Sequence, residues 1–317
     1  MVSHTPEPSE SSASPEASGP PEAPGSSGAP GALPVPDGLP RPVTEAGRAG
    51  LAALLAHPER AVIALDFDGT LADIVPDPDL ARARPGAVEA LAALAPHVRS
   101  VAVVTGRPAA VAVRNGGFAG VRGLEHLVVL GHYGAERWDA VSDAVRTPEP
   151  HPGVAAARAG LPALLDATGE AKGSSIEDKG QAVAVHTRRA EQPKAAFDAL
   201  LAPLTDLAHR NGLILEPGRM VLELRPPGVD KGRALSGYLD EVSAGSVLYA
   251  GDDLGDLAAY AAVERGRPGL PGVLVASGTE VTELVDRADL PLPGGPAEVV
   301  ALLAALAEEL AGRAAGR

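Results

Sequence analysis

Residues 65–74 read LDFDGTLADI, and the run that leads into them, AVIALDF at 61–67, is apolar until it meets Asp66. A short apolar run suits a buried strand or a helix fragment; its length and the Asp-Gly-Thr stop favour the strand. On a strand Asp66 and Asp68 point to the same face, where two carboxylates repel and drift toward protonation unless a cation neutralises them. The stretch therefore predicts a buried strand that delivers paired acids to a cation.

Working outward, PGAVEALAALAPHV (85–98) reads as a helix with Pro at its start, and SVAVVTGRP (100–108) as a second buried strand. Strand, helix and strand in that order predict a parallel βαβ unit covered on both faces. HLVVLGHYGAE (126–136), SVLYAGDD (246–253) and GVLVASG (272–278) add strands. TEAGRAGLAALLAH (44–57), Lys231–Val242 and Pro296 to about Arg313 add helices. Between them, residues 137–227 carry helical spacing at 153–168 and 191–211, strands within 175–189 joined at a Lys-Gly turn, and a hairpin over 213–226 turning at Pro217-Gly218. The expectation is an α/β fold: a parallel, Rossmann-like core from 44–136 and 228–317, with 137–227 inserted as an α/β cap, or lid. Residues 1–43 hold about a third of the 31 prolines and show no periodic apolar face. They read as a disordered tail that cannot bury enough surface to offset its entropy.

Bulk properties narrow the partners. A net charge of −14 argues against a general affinity for nucleic acid or acidic membranes, which reward clustered Lys and Arg. With no Cys there is no thiol nucleophile, thiolate metal site or disulfide framework. No apolar run approaches the roughly 20 residues a membrane helix needs, and the amino terminus lacks a basic-then-apolar signal pattern. The expectation is a cytoplasmic protein with a small-molecule substrate, no nucleic acid and no membrane.

In an open parallel sheet, ligands bind outside the carboxyl ends of the strands. Three strands end in chemically loaded turns: Asp66 to Thr70, Thr105-Gly106-Arg107, and Gly251-Asp252-Asp253. A hard divalent cation taking oxygen ligands, Mg²⁺ above all, fits Asp66, Asp252 and a backbone carbonyl.

DFDGTL, VVTGR, Lys231 in GVDKGRAL, and GDDLGD resemble, in order and residue type, the motifs of the haloacid dehalogenase (HAD) phosphatase superfamily. IEDKGQAVAVHTR, GHYGAE and EPGRMVLELRPPGVDKGRAL further resemble the trehalose-6-phosphate phosphatases, over roughly residues 47–312. Two departures stand out: Gly255 and Leu257 where that family usually continues Thr-Asp-Glu, and Tyr133 where it more often has His.

The resemblance implies an Mg²⁺-dependent phosphatase with a HAD-like core and cap, converting trehalose 6-phosphate to trehalose and phosphate. By the same resemblance Asp66 is the nucleophile that forms an aspartyl phosphate. Asp68 protonates the leaving oxygen, later deprotonates water, and lends its main-chain carbonyl to the metal. Thr105, the amides around Gly69, and Lys231 hold the phosphoryl oxygens, Asp252 binds the ion, and Asp253 and Asp256 orient water or Lys231. Gly106, Arg107, His132, Glu177, Lys179, Arg188, Glu216 and Arg219 are the remaining substrate-binding candidates. Plainer readings compete: Asp256 as a helix cap, His132 as a satisfied core histidine, Glu177 as a surface acid. Other functions compete too: a phosphatase for another sugar phosphate, a sugar-phosphate sensor without turnover, or a DxD glycosyltransferase. The last explains neither Lys231 nor the GDD turn.

Overall fold

Chain order in the computed structural model, which describes residues 38–316, alternates strand and helix as the sequence expects. The strands are β1 (Ala61–Leu65), β2 (Ser100–Val104), β3 (Leu127–Gly131), β4 (Glu136–Asp139), β5 (Ala144–Arg146), β6 (Ser175–Asp178), β7 (Val183–His186), β8 (Ile214–Gly218), β9 (Val221–Arg225), β10 (Ser246–Gly251), β11 (Gly272–Ser277) and β12 (Leu290–Leu292). The helices are α1 (Glu45–Ala56), α2 (Ala87–Leu94), α3 (Ala109–Gly116), α4 (Pro152–Ala167), α5 (Pro193–Arg210), α6 (Lys231–Glu241), α7 (Leu257–Gly266), α8 (Thr282–Arg287) and α9 (Pro296–Ala315).

The large sheet runs β12-β11-β10-β1-β2-β3-β4-β5. Its strands are parallel from β12 to β3, and β4 and β5 add antiparallel at the edge. Every residue of β1 is buried, because the sheet is covered on both faces. Ile63 and Leu65 pack into one core with α1, α2 and α9, while Val62 and Ala64 pack into a second with α6 and α7. Asp66 continues the Val62 and Ala64 face by strand alternation.

The small sheet, β6-β7-β9-β8, is antiparallel throughout. Val183, Val185, Leu222 and Leu224 turn toward α4 and α5. The alternate residues form the other face. Register across all four strands lines up Glu177, Ala184, Glu223 and Glu216 in one row there, since paired residues share a face.

Three sequence expectations shift. The β8–β9 hairpin turns at Arg219-Met220, not at Pro217-Gly218: Gly218 pairs with Val221, and Met220 takes the positive φ of 59°. Pro217 is tolerated inside β8 because β8 is an edge strand. The large sheet also continues past residue 137, because Trp138 pairs with Val129 and the chain stays at the sheet edge through Arg146. Finally, the chain joins the core before residue 44, with Leu39 buried and the Val43 amide donating to the Asp289 carbonyl at 2.8 Å. The rest of the expected disordered tail, residues 1–37, lies outside the described residues. Among the described residues no helix is long and apolar enough to cross a membrane.

Candidate functional site

The adjacency of β10, β1 and β2 brings the three loaded turns together at one end of the sheet. Asp66, the first residue after β1, is fixed by its amide, which donates to the Ala250 carbonyl at 2.9 Å. Lys231 enters as the first residue of α6, a helix whose start is capped by the Asp230 side chain accepting from the Arg233 amide at 2.8 Å. Its Nζ stands 3.0 Å from Asp66 Oδ2, 2.8 Å from Asp256 Oδ1 and 3.8 Å from Asp253 Oδ1. Lys231, Asp66 and Asp256 are all buried.

Asp256 organises this cluster. Its Oδ1 accepts from Lys231 and from the Tyr249 hydroxyl at 2.5 Å, and its Oδ2 accepts from the amides of Asp252 and Asp253 at 3.0 and 3.1 Å. Four donors saturate the carboxylate, so it shapes the GDD turn instead of offering an oxygen outward. Both readings of Asp256 find support in this geometry: it holds Lys231, and its carboxylate accepts from the Asp253 amide as half of a capping box at the short helical turn 254–256. Asp253 is the exposed member: its Oδ1 caps the Gly255 amide at 2.9 Å.

Electrostatics single out Asp252. Burial, then Asp256 and Asp253, push its carboxyl up to about 8. Asp66 is likewise raised well above the carboxylate range, by burial first and by the neighbouring acids, with Lys231 pulling back. Burial disfavours the Lys231 charge, but Asp256 and Asp66 outweigh it and hold the ammonium protonated. One lysine is too little cation for this many acids. Asp66, Asp252, Asp253 and Asp256 each place a carboxylate oxygen within 4.8 Å of the others, and Asp252 Oδ1 is buried with no hydrogen-bond partner among the described residues. An all-oxygen set with one unspent buried oxygen fits a hard divalent cation such as Mg²⁺. With Asp256 saturated and Asp253 capping Gly255, the available carboxylates are Asp66 and Asp252.

Gly69 lies against this pair in a way the sequence did not show. Its amide donates to the Ala72 carbonyl at 2.7 Å and its carbonyl accepts from Ser277 Oγ at 2.6 Å. Both main-chain groups of Gly69 itself are therefore engaged within the protein. Its contribution is the missing side chain: φ is +71°, and a Cβ would collide with the Asp252 carboxylate. Gly69→Ala should displace Asp252 and weaken Mg²⁺ binding by about tenfold or more. Calorimetric titration of the variant with Mg²⁺ checks this, and an unchanged affinity removes Asp252 from the ligand set.

The β2 turn supplies Thr105, buried, whose Oγ1 accepts from the Arg107 amide at 3.1 Å and keeps its own proton to donate. Arg107 was expected among the substrate ligands. Its guanidinium forms a bidentate pair with Asp68, Nε to Oδ2 at 2.5 Å and Nη2 to Oδ1 at 2.6 Å. Gly106 sits beneath Tyr133, where an added Cβ would lie 2.8 Å from the tyrosine hydroxyl.

The small sheet presents its acidic row with counter-ions interleaved. Lys179 pairs with Glu223 at 2.5 Å, Arg225 with Glu216 at 2.8 Å, and His186 with Glu177 at 2.7 Å. Arg188 reaches from the small-sheet region to the Pro76 carbonyl, 3.3 Å away in the loop after the DxD turn. His132 is buried at the end of β3. Arg219 is exposed at the β8–β9 turn and makes no hydrogen bond or ion pair among the described residues. Glu223, Arg225 and Tyr249 were missed. Alternation along MVLELRP holds the signal for the first two, but it places them beside Glu216 only once the hairpin turn is set at Arg219-Met220.

Comparison with known proteins gives this arrangement a lineage. The family model described as trehalose-phosphatase matches residues 64–286. The trehalose-phosphate phosphatase of Mycobacterium tuberculosis is 35% identical over 241 residues, which is 71% of this chain and 56% of that protein. An uncharacterized glycosyl hydrolase of the same species is 38% identical over 217 residues, 64% of this chain and 15% of its own length. The chain thus spans about half or less of the length of these curated relatives. Among solved structures, the C-terminal domain of Candida albicans trehalose-6-phosphate phosphatase superposes with a TM-score of 0.66 at 20% identity, covering 85% of this chain and 99% of that one. A haloacid dehalogenase-like hydrolase from Bacteroides thetaiotaomicron gives 0.50 at 17% identity, covering 80% and 99%. These likenesses show a HAD-like fold. With a family match that spans the DxD turn, Lys231 and the GDD turn alike, the chain belongs to the trehalose-phosphatase family.

Proposed function

We propose that the chain hydrolyses trehalose 6-phosphate to trehalose and phosphate through an aspartyl phosphate on Asp66. The observation that carries this reading is the buried Asp66 carboxylate 3.0 Å from Lys231 beside the unspent oxygen of Asp252. A carboxylate oxygen of Asp66 attacks phosphorus, and the bond from phosphorus to the sugar oxygen breaks. Asp68 gives the departing oxygen its proton. Water then attacks the aspartyl phosphate, Asp68 takes its proton, and phosphate leaves with Asp66 regenerated. Asp68 serves in the first step once it exchanges the Arg107 guanidinium for the substrate oxygen.

Lys231 and the Thr105 hydroxyl stabilise the phosphoryl oxygens as charge builds on them. Mg²⁺ held by Asp66, Asp252 and the Asp68 main-chain carbonyl would supply the positive charge that lets a dianionic phosphate approach clustered acids. The small-sheet region acts as a cap: Glu177, Lys179, Glu216 and Glu223 offer donors and acceptors suited to sugar hydroxyls, and the Arg188 contact with Pro76 holds it over the core. A cytoplasmic location goes with this reading.

Phosphate release from trehalose 6-phosphate should require Mg²⁺, vanish on chelation with EDTA, and return when Mg²⁺ is restored. Turnover of a glyceryl or sucrose phosphate with none of trehalose 6-phosphate would overturn the substrate and leave the chemistry. Failure of a single-turnover experiment with every sugar phosphate would favour a sensor.

A further inference from the structure

Asp252 is the member of the acidic cluster whose carboxylate no hydrogen bond positions. Lys231 holds Asp66 and Asp256, and the Gly255 amide holds Asp253. Asp252 Oδ1 is buried with no partner among the described residues, and the bond from Asp252 to Asp256 runs through its amide. Such an oxygen is rare in a folded interior. Its place is set by contact instead. Gly69 lies so near that an added Cβ would overlap Asp252 Oδ2 and Cγ, so the Gly69 main chain forms one wall around the carboxylate.

A wall confines Asp252 only if it is itself held. The bond from the Gly69 amide to the Ala72 carbonyl lies within the DxD turn and can move with it. The bond from Ser277 Oγ to the Gly69 carbonyl, at 2.6 Å, joins that turn to another strand 208 positions along the chain.

The fold brings Ser277 to this place with little freedom. Val273 and Val275 enter the core shared with α1, α2 and α9, and alternation puts Ser277 third in their row. A row of valines thus ends in a hydroxyl. On one side Ser277 pairs with Leu292 of β12, and the next amide, that of Gly278, donates to the Leu292 carbonyl at 2.9 Å. On the other side Gly251 of β10 pairs with Ala276, so the parallel register carries Ser277 beside Asp252. Ser277 is 3% exposed and Gly69 is buried. Removing the hydroxyl therefore leaves a buried carbonyl without its donor.

We infer that Ser277 is a positioning residue for the cation site: its hydroxyl pins the Gly69 carbonyl, Gly69 closes over Asp252, and the Asp252 carboxylate is thereby kept where it meets a divalent cation. The inference rests on the reading of Asp252 as an Mg²⁺ ligand. It gives a role to a residue outside the DxD, TGR and GDD turns and apart from Lys231.

Ser277→Ala, which deletes the hydroxyl, and Ser277→Thr, which keeps it, test the inference. By calorimetric titration with Mg²⁺, Ser277→Ala should bind about five- to tenfold more weakly than wild type, and Ser277→Thr within about twofold of it. In phosphate release the Mg²⁺ concentration giving half the maximal rate should rise by the same factor in Ser277→Ala, while kcat at saturating Mg²⁺ and KM for the sugar phosphate hold. Ser277→Cys, similar in shape with a weak S–H donor, should also bind Mg²⁺ more weakly than wild type, and decides the matter if Ser277→Ala does not fold. A serine that only supports the fold would lower the melting temperature and leave the Mg²⁺ affinity of the folded protein unchanged; that result overturns the inference. So does equal weakening in the Ala and Thr variants, which would assign the effect to packing. Wild-type protein that binds no Mg²⁺ refutes the cation site, and the role of Ser277 falls with it. Wild-type protein that binds Mg²⁺ beside an unaffected Ser277→Ala refutes Ser277 alone.

Discussion

Asp66→Asn should lower phosphate release from trehalose 6-phosphate by more than about a hundredfold, because an amide cannot form the acyl phosphate. The fold should survive the change. The Asp66 backbone stays anchored to Ala250, and Lys231 keeps its bond to Asp256. Removing one acid from a crowded buried set also relieves repulsion, so the melting temperature should hold or rise. Steady-state kinetics and a thermal melt on the same preparation decide the matter. Retention of more than about a hundredth of the wild-type rate would take the nucleophile's role away from Asp66.

Lys231→Met should damage both activity and stability. Methionine approximates the length of the side chain but strands Asp66 and Asp256 in a buried site without their shared counter-ion. Breaking a buried pair from one side costs about 3–5 kcal/mol, and losing a donor aimed at the reacting phosphoryl group costs about a hundred- to a thousandfold in kcat. Denaturant unfolding measures the first effect and kinetics the second. Adding Asp66→Asn to Lys231→Met should recover part of the stability and none of the activity, because the two sites share one interaction. If the double variant is no more stable than Lys231→Met, the Asp66 contact contributes nothing to the fold.

The parts of this site legible in the sequence are those whose position follows from chain order alone. Asp66, Thr105 and Asp252 each end an apolar run, so predicting the runs as strands of one parallel sheet puts their turns at the same end. The parts that stayed hidden depend on register, packing or conformation. Arg107 lies two residues after Thr105, yet nothing in its spacing shows that it turns to Asp68. Glu223 and Arg225 needed the correct hairpin turn, and Pro217-Gly218 was a stronger local signal than the Arg219-Met220 that makes the turn. The amides around Gly69 were legible as donors only through the family resemblance; the engaged amide of Gly69 and its closeness to Asp252 appear only in three dimensions. The short elements α3, α7, α8 and β12 escaped because runs of three to ten residues carry little periodicity.

Asp256 has a bearing on how this chain can be re-engineered. One carboxylate terminates hydrogen bonds from α6, from β10 and from two successive amides of the GDD turn. Changes at Lys231 and Tyr249, whose side chains donate to it, therefore reach the same acceptor, and their effects should not add, whereas the amides of Asp252 and Asp253 persist whatever side chains those positions carry. A directed-evolution library that varied these positions one at a time would score each as intolerant and miss combinations that work. Diversity should enter Lys231, Tyr249 and Asp256 together, or be confined to the small sheet, whose acidic row carries its own counter-ions and can be rewritten strand by strand.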